Sequence, residues 1–214
     1  MATTTVHHPV FARLYGRMAE SFEAKGNAEH RDELLAGLTG RVIEVGAGTG
    51  LNFGHYPASV TEVVAVEPEP YLRAKAEEAA TSAQVSITVL DGTADRLPAD
   101  DASLDAGVAS LVLCSVPDPA AALAELRRVI RPDGELRFYE HVRADSPRLA
   151  RWQDRLDVVW PRVGGGCHAN RATVETIETA GFTVERSRRF TFRPSALVTL
   201  TSPHAIGVAR RPNP

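Results

Sequence analysis

The sequence predicts an α/β fold, a mostly parallel sheet with helices on both faces. Three observations carry this. Short apolar runs alternate with helical stretches through the middle of the chain, and a glycine-rich turn follows the first run. The chain of 214 residues, 43% hydrophobic and 24% charged, is long enough for one sizeable core and too short for two comfortable ones. One domain over 1–214 is therefore expected. Its parts are a helical lid to residue 40, a core over 41–142, a helical insertion over 143–180 and terminal strands over 181–214.

Phe11, Leu14, Tyr15, Met18 and Phe22 recur at helical spacing, and a second pattern through Leu34, Leu35 and Leu38 ends at Gly40. Strands are expected at Val42–Val45, Val63–Val66, Val85–Leu90, Leu104–Ser110 and Leu136–Tyr139. Helices are expected at Tyr71–Ala80 and Ala120–Ile130, the second closed by Pro132, Asp133 and Gly134. An Arg- and Trp-rich stretch to about Ala180 reads as helix. Beyond it, Thr183–Phe192 and Ala205–Ala209 are suited to an antiparallel hairpin at the sheet edge.

A formal net charge of −3 gives no global positive field for nucleic acid or anionic membrane. The pairs Arg127-Arg128 and Arg188-Arg189 have acidic neighbours in Glu125 and Glu185 and read as solvated faces. Cys114 and Cys167 are too few and too poorly spaced for a disulfide framework or a zinc site, so no metal is expected and a reducing compartment fits. Met1–Pro9 lacks the apolar run of a signal peptide, and no stretch has the ~18 apolar residues of a membrane span. These features lead to an expectation of a cytoplasmic protein with no integral membrane association.

Val42–Val45 runs into Glu44-Val45-Gly46-Ala47-Gly48-Thr49-Gly50. Glycines after the first strand let the backbone approach a nucleotide closely. The dinucleotide fingerprint needs glycine at 46, 48 and 51, but position 51 is Leu, which opposes a dehydrogenase. Glu67 ends the second strand 21 positions after Gly46, where a carboxylate accepts from both ribose hydroxyls. The alternative is an N-cap-like role before Pro68. After the third strand comes Asp91-Gly92-Thr93-Ala94-Asp95-Arg96-Leu97-Pro98, and Ser103-Leu104-Asp105 opens the fourth.

Together these motifs resemble the Rossmann-like class I S-adenosylmethionine methyltransferases. The resemblance implies a seven-stranded sheet with an antiparallel edge strand, and S-adenosylmethionine as the cofactor. It implies donor contacts from Glu44, Gly46, Ala47, Gly48, Gly50, Glu67 and Pro68. Thr93 stands where the family usually has Asp beside the adenine amino group, Ala94 would offer its backbone N–H, and Ser110 would border the transferable methyl. A binding protein without catalysis remains an alternative.

Downstream, Ser110–Val116, Glu140-His141-Val142, Trp152-Gln153, Asp157, Trp160, Gly166-Cys167-His168 and Arg171 resemble, in order and spacing, the alkyl-thiol S-methyltransferases and their bacterial relatives. That likeness implies a small thiol acceptor; a more distant one, to quinone C-methyltransferases, implies carbon or oxygen methylation of a quinone-like or phenolic molecule. A thiol with a pKa near 8.5 is already a few per cent thiolate at neutrality and needs only modest help. His141 is the leading base candidate, with Asp154 and Asp157 as alternatives. Equally, Glu140 and His141 are suited to capping the strand and holding the segment that follows. Trp152 and Trp160 read as core or as pocket wall on one helix, Cys167 as a structural thiol, and Arg171 as a partner of Asp154 or Asp157.

Overall fold

The computed structural model describes residues 12, 16, 19, 21–195 and 199–213. Of the first helical pattern, Phe11, Leu14, Tyr15 and Met18 lie outside the described residues, while Phe22 is helical and half-buried. The N-terminal helix kinks at Lys25-Gly26, where Gly26 has φ +106°, and continues as α1 (Ala28–Leu35). Leu34, Leu35 and Leu38 are buried as their spacing requires, although the helix ends at Leu35.

The strands are β1 (Gly40–Val45), β2 (Val60–Val66), β3 (Ile87–Leu90), β4 (Leu104–Ser110), β5 (Ile130–His141), β6 (Thr183–Thr191) and β7 (Pro203–Arg210). They form one sheet in the order β3-β2-β1-β4-β5-β7-β6. The first five pair in parallel, and β7 runs antiparallel to both neighbours within the edge hairpin. Chain order reverses between β1 and β4. A crevice outside the carboxyl ends of strands at such a point is where open α/β sheets bind ligands.

Helices α2 (Pro70–Ala80) and α3 (Pro119–Val129) both begin with proline at the first turn, where no intrahelical N–H is needed. Glu69 caps α2 by accepting from Leu72 N at 2.9 Å, and Asp118 caps α3 by accepting from Ala120 N and Ala121 N. The inner strands β1, β4 and β5 are buried on both faces over most of their length, so neighbouring side chains enter different cores. Ile43 and Phe138 join the core that contains Leu123, Leu126 and Ile177. Val42 and Tyr139 join the one that contains Leu34, Leu35 and Phe53.

The junction before β5 and the insertion after it depart from the expected pattern, and β3 begins at Ile87 rather than Val85. Ile130 is already extended, with φ −73° and ψ 130°, so α3 ends at Val129 and Pro132-Asp133-Gly134 lie inside β5. The pairing shifts register there, from Leu104 opposite Ile130 to Ala106 opposite Glu135. The insertion is three pieces rather than one helix: α4 (Pro147–Leu156), the single turn α5 (Trp160–Val163) and α6 (Thr173–Thr179). Gly165 and Gly166 at φ +62° and +85° turn the chain back after α5. Trp152 and Trp160 therefore sit on different helices, and Trp152 is exposed. No helix of the described residues is long and apolar enough to cross a membrane.

Candidate active site

The loop after β1 is built for close approach. Gly46 and Gly48 have φ +64° and +59°, and a Cβ on Gly46 would stand 2.4 Å from Val112 Cγ2. Glu44, two residues earlier, is almost fully buried and accepts from Asn52 Nδ2 at 2.8 Å and from Tyr56 Oη at 2.7 Å. Burial holds its carboxyl above the usual range despite those bonds. Asn52 Oδ1 accepts in turn from Arg31 Nη1 at 2.7 Å. Arg31, Glu44, Gly46, Ala47, Gly48, Thr49, Asn52 and Ser110 line one small pocket. A larger cleft of about 460 Å³, lined by Arg41, Asp100 and Ser103 among others, opens near the amino ends of β1 and β4, away from this loop.

Glu67 leaves the end of β2 and is buried. One carboxylate oxygen accepts from Gly48 N at 2.8 Å and the other from Glu69 N at 3.0 Å. Each oxygen keeps a second lone pair. Burial pushes the Glu67 carboxyl up to about 7, against the opposing pull of these two N–H groups. Pro68 is half-buried; its carbonyl and that of Glu67 accept from Arg73 Nη1, which also reaches Asp91 and so fastens β2 to the turn after β3. Thr93 and Ala94 are half-buried in that turn, which Arg96 N closes onto Thr93 O at 3.1 Å.

Beyond Ser110 the chain makes a strained step. Leu111 has φ +58°, a left-handed conformation costing a side-chain-bearing residue about 1–2 kcal/mol. The next three residues hang on one side chain. Fully buried Glu140 accepts from Val112 N, Leu113 N and Cys114 N at 3.0, 2.8 and 3.1 Å. It thus holds the loop after β4, not the segment after β5 that the sequence suggested. Arg171 pairs with neither aspartate and donates to the Leu113 and Val116 carbonyls of that same loop.

His141, the last residue of β5, stands with Nδ1 3.4 Å from both Cys114 Sγ and Cys167 Sγ. Its ring lies 4.7 Å from that of His204, and Tyr139, Phe190, Phe192 and His30 extend the wall. Asp154 is elsewhere, on the exposed face of α4. There it pairs with Arg143 and accepts from Asn170, which holds its carboxyl below the usual range. Such a paired surface carboxylate is a weak base. Asp157 pairs with His168 Nδ1 at 2.9 Å.

The roles of three residues are not legible in the sequence. Arg31 offers no motif, because only the tertiary fold carries α1 over the glycine loop. Glu140 was seen as a strand cap. Gln153 is buried and bonds Val142 O, Ala144 N, Ala169 O and Leu200 O, fixing α4 to the end of β5. A polar residue at the inward position of an amphipathic helix was the available signal.

A sheet reversed between β1 and β4, a glycine loop at that point and an acid ending β2 make a Rossmann-like nucleotide site, and β7 running antiparallel between β5 and β6 gives the sheet of the class I methyltransferase fold. A family model described as a methyltransferase domain matches residues 43–138. The human Thiol S-methyltransferase TMT1B is 35% identical over 182 residues, covering 82% of this chain and 73% of that protein. The human Thiol S-methyltransferase TMT1A is 35% identical over 156 residues, covering 69% and 63%. A solved SAM-dependent methyltransferase from Methanosarcina mazei shares the fold with a TM-score of 0.65 at 18% identity, over 81% of this chain and 93% of that one. The chain belongs to the S-adenosylmethionine-dependent methyltransferase family of these relatives. It is an enzyme that uses S-adenosylmethionine to methylate a small molecule.

Proposed function

We propose that the acceptor is the sulfur of a small, largely apolar thiol. The carrying observation is the aromatic wall where β5 and β6 end and β7 begins: Tyr139, His141, Phe190 and His204, where Arg188 over the Phe190 ring is neutralised by Glu33 and Glu140 is committed to three backbone N–H groups. S-adenosylmethionine supplies an electrophilic methyl on a sulfonium. Attack by a thiolate on that group cancels two charges, so an apolar wall costs the transition state little. An alcohol, with a far higher pKa, needs a strong base, and Asp154 and Asp157 are tied up in pairs with Arg143 and His168. The two relatives named for thiol S-methylation support the same acceptor.

The chain's residues divide the work. The loop Gly46–Gly50, with Ala47, receives the amino-acid end of the donor, and Arg31, whose Nε is already paired with Glu23, donates to its carboxylate from the rest of the guanidinium. Glu44 acts one step back by orienting Asn52. Glu67 takes the ribose hydroxyls with its spare lone pairs, while Pro68, Thr93 and Ala94 border the adenine. Ser110 and the strained Leu111 face the methyl, and His141 meets the incoming sulfur. Holding donor and acceptor in line supplies much of the acceleration.

The same aromatic wall would stack a planar ring, so methylation of a phenol or quinol is the second reading. Purified enzyme with S-adenosylmethionine and separate thiols, phenols, amines and quinols decides between them, read as S-adenosylhomocysteine formed. Turnover with alkyl thiols is the expected result. Activity on quinols or phenols with none on any thiol removes the thiol assignment and leaves the methyltransferase standing.

A further inference from the structure

Cys114, His141 and Cys167 come from three separate segments: the loop after β4, the end of β5 and the loop before α6. Their Sγ, Nδ1 and Sγ atoms all lie within 4.8 Å of one another, and Nδ1 is 3.4 Å from each sulfur. A tetrahedral zinc ion has Zn–S near 2.3 Å and Zn–N near 2.0–2.1 Å, which puts its sulfur and nitrogen ligands about 3.5 Å apart. The two N–S separations already match.

The approach of these segments is built in. Gly166, with φ +85°, lets the Cys167 loop pack on the Cys114 loop; a Cβ there would stand 2.8 Å from Ser115 O. His168 N donates to Cys114 O at 2.7 Å, and Glu140 holds Cys114 N. Arg171 reaches carbonyls on either side of Cys114. Two thiolates and a divalent cation are together neutral, and Arg171 offsets one further negative ligand.

We propose that Cys114, His141 and Cys167 bind a zinc ion whose fourth position accepts the sulfur of the substrate thiol. Three protein ligands with one open position is the pattern of a catalytic rather than a structural zinc site. The site lies at the carboxyl ends of β4 and β5, four residues beyond Ser110 in the donor pocket. The second half of the proposal rests on the thiol reading above. On coordination the acceptor S–H gives its proton to solvent and a metal–sulfur bond forms. A sulfur lone pair then makes the new S–CH3 bond while the donor's C–S bond breaks, its electron pair passing to the sulfonium sulfur. The neutral thioether product is a poorer ligand and leaves.

Reduced, chelator-stripped protein titrated with Co²⁺ tests the site without any turnover. One equivalent should bind, with a thiolate-to-cobalt charge-transfer band and the visible bands of tetrahedral cobalt. Cys167→Ser should weaken cobalt binding by about 100-fold or more. Its affinity for S-adenosylmethionine by calorimetry should match wild type, which shows that the variant folds; His141→Ala serves as a second variant. Adding 2-mercaptoethanol should shift the visible bands. No cobalt uptake by wild type, uptake unchanged in Cys167→Ser, or bands indifferent to the thiol each overturns the proposal. Thiol methylation undiminished in metal-free enzyme overturns it while leaving the thiol reading intact. Cobalt bands that respond to thiol in an enzyme that methylates only phenols remove the thiol reading instead, and with it the proposed role of the fourth position.

Discussion

Glu67 shows what a binding site costs the fold that carries it. Its folded-state value of about 7 stands above the ordinary 4.5 because the carboxylate is buried. The unfolded chain loses that proton near 4.5 and the folded chain only near 7, so between those values the folded state binds more protons. Stability therefore falls as pH rises through this window, and the full cost persists above it. At about 1.36 kcal/mol per unit the loss is roughly 3 kcal/mol. Glu67→Gln should accordingly be more stable than wild type at pH ~8 by roughly 1–3 kcal/mol and no more stable at pH ~4. Urea denaturation at the two pH values measures this. The same variant should bind S-adenosylmethionine about 10–100-fold more weakly, because the charge-assisted bonds proposed for the ribose become neutral ones. Wild-type donor affinity should rise between pH ~6 and ~8 as the carboxylate forms, and the variant's should not. A variant with wild-type affinity removes Glu67 from the donor site.

At the scale of elements, strands and their turns could be read because their signals are local. Val42–Val45 running into three glycines, and Glu67 closing the next strand, are contiguous text. The insertion over 143–180 is helical as its composition indicates, but its breaks are not legible: the Arg/Trp pattern looks continuous, while Gly165 and Gly166 turn the chain with conformations the pattern ignores. Cys114, His141 and Cys167 were invisible as a cluster because only the parallel β4–β5 pairing and the Gly166 contact unite them. The loop after β4 shows an element governed by one distant side chain. Glu140→Ala would leave three buried N–H groups without an acceptor and should destabilise the protein by about 3 kcal/mol or more. Glu140→Gln keeps one oxygen, which still serves Val112 and Leu113, but turns an NH2 toward Cys114 N. It should fold, lose roughly 1–2 kcal/mol, and lose turnover through displaced Leu111 and Cys114. Chemical denaturation alongside kcat separates the two effects. Full turnover in Glu140→Gln shows that the loop holds its shape without this carboxylate.

For the whole molecule, the reversal of chain order between β1 and β4 divides the site into two parts. The proposed donor groups gather on the β1–β3 side with α1, and the proposed acceptor wall stands on the β5–β7 side, with β4 and its loop between. The two parts meet at that loop and at α1, whose Arg31 reaches Asn52 and whose His30 packs on Phe190, but Glu67 and His141 have no partner in common among the described residues, so variants at those two positions should act on different measured quantities. Gly48→Val places a branched side chain at φ +59° against the donor's path and should abolish donor binding by calorimetry while the protein stays folded. His141→Ala removes a side chain proposed to serve the acceptor and should lower thiol turnover about 10²–10⁴-fold while donor affinity changes less than about twofold. Where a milder donor variant such as Glu67→Gln is combined with His141→Ala, the losses in kcat/KM should add on a free-energy scale within about 0.5 kcal/mol, as expected for sites without shared partners. Strong coupling between them would mean that donor and acceptor halves communicate through the loop after β4. In that case Glu140 would be the residue to change next, since its carboxylate joins β5 to three consecutive amides of that loop.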